Sequence, residues 1–176
     1  MYDFVTTPGD ATATSYPTLD DATNYLTARG GGDAFFALDQ SDQEQRLIYG
    51  TSQLDLLSNY DGTIADAETP QALGWPRVEA SDCNGIEQDS TSVPGDIKNA
   101  TTELSLYYIE TDRLSTPALL GKGITRAKAG PLEVEVDHNA RFDIASRNVA
   151  VQLGCLGSLK GIATFNGMSN ICVARA

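Results

Sequence analysis

QALGWPR (residues 71–77) and, after a polar loop, VPGDIKNATTELSLYY (93–108) decide how this chain is read. The first string holds the single tryptophan, Trp75, with Pro76 directly after it. A residue before proline is biased toward extended backbone, so the indole projects from a stiff loop and needs something to pack against. Val93-Pro94-Gly95-Asp96 starts a helix, with proline near the first turn and an aspartate close to the positive end. Ile97, Ala100, Thr101, Leu104 and Tyr108 follow at helical spacing and give one face to bury. The helix is expected from about Pro94 to Arg113, ended by Ser115-Thr116-Pro117. Trp75, Pro76 and Arg77 either fix the loop against this helix or a neighbouring subunit, or Trp75 simply fills the chain's own core. Nothing in the stretch is catalytic.

Upstream, residues 1–17 show breaks and no sustained period, and read as an extended arm. Thr18 and Asp21 resemble a capping box, and Leu19, Ala22, Tyr25 and Leu26 mark one face of a helix stopped at Arg29-Gly30-Gly31-Gly32. Asp33 to Leu38 makes one more turn and supplies Phe35 and Phe36 to the core. Ser41 and Glu44 form a second capping box, before Leu47, Ile48, Thr51, Leu54 and Leu57 at helical spacing. Gly50 inside that helix costs about 1 kcal/mol relative to alanine, and a close helix–helix approach would explain it. Residues 59–92 are polar and turn-rich, a length that in a compact domain signals function or an interface, and Asn84-Gly85 suits a small hairpin.

Downstream, Ile124 to Lys128 and Leu132 to Val136 alternate around Ala129-Gly130-Pro131. Arg126 and Lys128 line one strand, Glu133 and Glu135 the other, so a hairpin with complementary cross-strand charges is expected. Val149, Leu153 and Leu156 allow a short helix, while Val149 to Leu153 equally allow a strand. The last twenty residues, with Ile171, Val173 and Arg175 near the end, read as an arm needing a partner.

The 176 residues suffice for one domain with a core. Acidic residues outnumber basic ones by 24 to 12, for a formal charge of -12, which should repel DNA at long range. MYDFVTTPGD lacks the basic start and apolar run of a signal peptide, and no window has the apolar length of a membrane span. Cys83, Cys155 and Cys172 are odd in number and widely spaced, which reads as reduced thiols in a cytosolic product.

No chemistry of an enzyme is found. His138, beside Asp137 and near Asp143, has no second histidine or cysteine pair at a zinc spacing. The runs Asp20-Asp21 and Asp39 to Asp42 lack the ligand alternation of a calcium loop. Gly121-Lys122-Gly123 lacks the spacing of a phosphate loop, and no serine sits in a nucleophile elbow. No metal, cofactor or catalytic residue is expected. Lys122, Arg126 and Lys128 form the only basic cluster, and single-strand binders line a positive groove with aromatics.

Ser15-Tyr16, Asp21-Ala22, Tyr25-Leu26, Leu47-Ile48, Leu54-Asp55, the Gln71–Arg77 string, and Val93-Pro94 before Ala100 and Glu103-Leu104 together look familiar. Over about residues 15–137 the chain resembles a tailed-phage family labelled "putative DnaT-like single-stranded-DNA-binding protein". That family in turn is similar to the helical head–tail connector adaptors under the portal. Gly50 stands where the pattern usually has alanine, and the C-terminal tail matches no pattern. The resemblance implies a dodecameric ring between the portal protein and a downstream tail or nozzle protein, continuing the DNA channel. It places the protein in the virion, at the head–tail junction, after synthesis in the host cytoplasm. Packaged DNA would pass without specific binding, and no membrane is involved. The alternative is a single-stranded-DNA-binding module.

The expected fold is mainly α: a small bundle of three to four helices with a β-hairpin and extended N- and C-terminal arms. Its expected parts are an arm over 1–17, a helical adaptor domain over 18–120 with the long loop 59–93, a hairpin over 121–137 and a C-terminal arm over 138–176. Candidate contacts are Trp75, Pro76 and Arg77 in the loop, Arg126, Lys128, Glu133 and Glu135 in the hairpin, and Ile171, Val173 and Arg175 in the tail.

Overall fold

Helix α1, Leu19–Arg29, is set by its first four residues: Thr18 Oγ1 accepts from Asp21 N, and Thr18 N donates to the Asp21 carboxylate. Gly30 ends it at φ 78, backbone that glycine adopts without strain. A computed structural model describes residues 3–65, 70–110, 126–129, 132–135 and 145–160. Within them follow α2 (Asp33–Phe36), α3 (Gln40–Leu57), β1 (Ser58–Tyr60), β2 (Thr63–Ile64), β3 (Arg77–Val78) and α4 (Gly95–Glu110). The strands β4 (Arg126–Ala129) and β5 (Leu132–Glu135), the helix α5 (Arg147–Leu153) and the strand β6 (Gly157–Leu159) complete them. The fold is mainly helical with small antiparallel strand pairs, as the periodicities require.

Helix α4 is the centre. Ile97, Ala100, Leu104 and Tyr108 bury with Leu54 and Leu57 of α3, Trp75, and Val149 and Leu153 of α5. A second cluster joins Ala22 and Leu26 of α1 to Phe35 and Leu47. Gly50 is the point of closest approach between α3 and α4. A Cβ there would overlap Ser105 Oγ and lie 3.0 Å from Thr101 O. Larger side chains would hold the two axes apart.

Several expectations need correction. The cap of α3 is Asp39, whose carboxylate accepts from Asp42 N at 2.9 Å, rather than a Ser41–Glu44 box. An aspartate two residues earlier competes for the same role and wins because the helix starts at Gln40. Phe35 is buried, whereas Phe36 remains 42% exposed, since one turn of helix cannot turn adjacent side chains to one side. Residues 3–17 do not reach outward. Thr14 N donates to Val5 O at 2.8 Å, Val5 N to Thr14 Oγ1 at 3.0 Å, and Asp10 O accepts from Ala72 N at 3.2 Å. The segment is thus a closed loop laid on the tryptophan loop.

Residues 145–160 likewise belong to the body rather than to an arm. Val149, Leu153 and Leu156 are fully buried, and β6 pairs antiparallel with β1, Asn59 opposite Ser158. The open choice at 149–157 therefore resolves as helix α5 followed by strand. The long loop carries its own pairing, Thr63 opposite Val78 and Ile64 opposite Arg77, and a Ser81–Glu87 bridge around Asn84-Gly85. Cys83 and Cys155 are joined in a disulfide across 72 residues, which overturns the reading of both as reduced thiols. Sequence spacing carries no information on that pairing, because the fold brings the two Cα atoms to 5.0 Å.

Candidate functional site

Trp75 is held by a carboxylate on α3. Asp55 of α3 accepts from Tyr16 Oη at 2.5 Å and Tyr60 Oη at 2.8 Å through Oδ1, and from Gly74 N at 3.0 Å through Oδ2. Tyr16 Oη in turn accepts from Trp75 N at 3.2 Å. One acid thus ties the N-terminal loop, β1 and the tryptophan loop to α3. Burial pushes the Tyr16 hydroxyl well above its ordinary range, and the Tyr60 hydroxyl also, with Asp55 adding to both. The Trp75–Pro76 peptide is cis. Trp75 is only 1% exposed, so the indole fills the chain's own core. Arg77 donates to Asp61 O and Gly62 O in the β1–β2 turn and to Gly74 O, tying the tryptophan loop to that turn. In this chain the three residues anchor the loop.

The second centre is Glu103, a carboxylate on the buried length of α4 with 2% exposure. Arg29 at the end of α1 pairs with it, Nη2 reaching Oε2 at 3.1 Å. Tyr25 Oη donates to Oε1 at 2.7 Å, and Asn148 Nδ2 of α5 to Oε2 at 3.4 Å. Gln152 Nε2 donates to Tyr25 Oη at 3.2 Å. Burial, followed by Glu103, pushes the Tyr25 hydroxyl up to about 12. A cleft of about 250 Å³ opens beside this cluster, between Arg29, Ala34, Leu106 and Ser146. Every acceptor of Glu103 is already taken up in joining α1, α4 and α5, so the carboxylate is placed to hold helices. No group of three or more histidine, cysteine or acidic side chains placed to hold a metal occurs among the described residues.

Charge is divided unevenly along the chain. Residues 1–110 carry 19 acidic and 4 basic side chains, a net of -15, and residues 111–176 carry 5 and 8, a net of +3. All four cations of the acidic part are engaged within the fold. Arg29 pairs with Glu103, Lys98 Nζ with Asp21 at 3.0 Å, Arg77 with three carbonyls, and Arg46 Nη1 with Tyr108 O at 3.5 Å. Burial pushes the Asp21 carboxyl up, but its bonds to Thr18 and Lys98 outweigh that and hold it below the usual range. In the hairpin, the register sets Arg126 opposite Glu135 and Lys128 opposite Glu133, the arrangement that alternation predicts. Lys122, His138 and the tail residues Ile171, Val173 and Arg175 lie outside the described residues.

The family model described as "Putative DnaT-like ssDNA binding protein" matches residues 4–175. The chain belongs to that family. The match runs well past the helical body, through the hairpin and the C-terminal segment. No curated protein and no solved structure matches the chain. No helix among the described residues is long and apolar enough to cross a membrane. Several of the residues quoted for the resemblance lie in two polar networks, while Ala22, Leu26, Leu47, Leu54, Val93, Ala100 and Leu104 lie in the apolar core. Tyr16 and Asp55 hold the tryptophan loop, while Tyr25 and Glu103 join the helices. Sequence reasoning missed Arg29, Asn148 and Gln152, and the signal for them was faint: a glutamate at an inward position of α4 that needs partners.

Proposed function

We propose that the chain is a structural adaptor at a phage head–tail junction, forming a ring that joins portal to tail and continues the DNA channel. The observation that carries this reading is the charge of residues 1–110, a net of -15 with every cation engaged internally. Such a body offers phosphates no partner and lets DNA pass without adhering. Its polar side chains hold helices and loops together, as a ring wall requires. The hairpin and the tail beyond the body would reach the portal or adjacent subunits. Negative-stain imaging of the purified protein mixed with the portal protein from the same genome tests this. Coaxial rings extending the portal are expected; monomers beside bare portals would count against it.

The second reading, a module for single-stranded DNA, has the family's own description in its favour and the net of +3 over residues 111–176. Its cations on β4 stand opposite acids, which weakens a continuous positive groove. A fluorescence-anisotropy titration with a single-stranded oligonucleotide at low salt separates the two readings. Under the adaptor reading no saturable binding appears. Saturable binding that an Arg126→Ala/Lys128→Ala double variant loses would establish the second reading instead.

A further inference from the structure

We propose that Cys83 and Cys155 form a reversible redox latch, open as a dithiol in reducing surroundings and closed on meeting a small-molecule disulfide. The inference is independent of the adaptor reading. It rests on the placement of the two ends. Cys83 lies in the loop between β3 and α4, and Cys155 directly after α5, with Cα atoms 5.0 Å apart.

Each end keeps its place without sulfur. In the loop, Asp82 Oδ1 accepts from Asn84 N at 2.8 Å and Ile86 N at 2.9 Å, and Gln88 N donates to Ala80 O at 2.8 Å, with Ala80 fully buried. On the other side, Val149, Leu153 and Leu156 are buried, and Leu156 O accepts from Asp61 N at 3.0 Å. Gly154 turns the chain just before Cys155 at φ +51, a conformation that favours glycine. The two sulfurs therefore face each other at high effective concentration whether or not they are bonded. Both cysteines are also exposed, so small thiols and disulfides reach them. Preorganisation favours closure, and accessibility lets an excess of small thiol attack and reopen the bond.

Closure proceeds by two exchanges. One protein thiolate attacks a sulfur of the small disulfide, forming a mixed disulfide and releasing one small thiol. The second protein thiolate displaces the other small thiol and completes the bond. Two protein thiols are oxidised and one small disulfide is reduced to two thiols, and excess thiol reverses both steps. The closed bond encircles residues 84–154, which include α4, the β4–β5 hairpin and α5. Restricting an unfolded loop of this length raises the melting temperature by on the order of 10 °C.

The full chain is equilibrated with oxidised glutathione, and separately with excess reduced glutathione. Intact mass, thiol titration in denaturant and thermal unfolding are then read. The oxidised chain should show one thiol, Cys172, against three in the reduced chain, and should melt about 10 °C higher. A Cys83→Ser/Cys155→Ser variant should melt with the reduced wild type under both conditions. Three thiols after oxidation, arrest at the mixed disulfide, a bond that includes Cys172, or equal melting temperatures would each overturn the latch. So would a reduced chain that does not fold, since the bond would then be a fixed structural staple.

Discussion

Trp75 shows how one side chain's role turns on its surroundings. With 1% exposure and Tyr60 edge-on at 5.9 Å, it is a core residue of the single chain. Trp75→Ala should cost about 3–5 kcal/mol in chemical denaturation, because the lost transfer energy and the cavity add. A variant that keeps its stability but fails to assemble would assign the indole to a subunit interface instead. The tyrosines give a pH signature. An unfolded tyrosine ionises near 10.0, whereas folded Tyr25 ionises only near about 12. Unfolding between those values releases a proton, so this contribution to stability is full below pH 10 and declines as pH rises toward 12. Tyr16 and Tyr60 act in the same direction. An alkaline titration followed at the phenolate absorbance should show a cooperative late step coinciding with loss of helix signal. Independent ionisation of all seven tyrosines near their ordinary value would contradict the buried hydroxyls.

Between elements, the contacts that matter are short and specific. Gly50 lets α3 and α4 approach until a Cβ would meet Ser105 and the Thr101 carbonyl. Alanine has the better helix propensity by about 1 kcal/mol, yet overpacking a rigid helix contact costs about 1–3 kcal/mol. The Thr101 carbonyl is backbone and cannot swing away, so Gly50→Ala should lower stability, as a shifted denaturation midpoint would show. A gain in stability would mean that the helices separate freely. Glu103 is the other joint, gathering Arg29, Tyr25 and Asn148 from two helices. Glu103→Gln preserves shape but removes the charge that Arg29 faces, and should cost about 2 kcal/mol, the scale of a hydrogen bond to an ionised group. Arg29→Ala combined with Glu103→Gln should be less than additive, because the two side chains share one interaction.

As a whole, the described part of the molecule is a small helical body, strongly acidic over residues 1–110, with Glu103 buried and the four cations of that stretch engaged within the fold. The net of -15 over residues 1–110 makes its surface field the property that partners meet first. Any association through that surface should therefore weaken steeply with salt if the partner is basic, and change little if contacts are apolar. Sedimentation across a salt series would distinguish these cases. Within the described residues, 3–17 close as a loop on the body and 145–160 return to pair with β1.

The sequence by itself determined helices α1, α3 and α4, the caps at Thr18 and Gly30, the inward face of α4 and a hairpin with complementary charges on its two strands. These features depend on residues within a few positions of one another, so periodicity and capping chemistry suffice. It also marked Gly50 as a place of close approach, because a glycine inside a helix needs a reason. Only the tertiary structure decided that Trp75 is buried, that Cys83 meets Cys155, and that β6 returns to pair with β1. It alone gathered Arg29, Glu103 and Asn148 into one cluster. Each of these joins residues tens of positions apart, and only packing around α4 determines which distant side chains become neighbours.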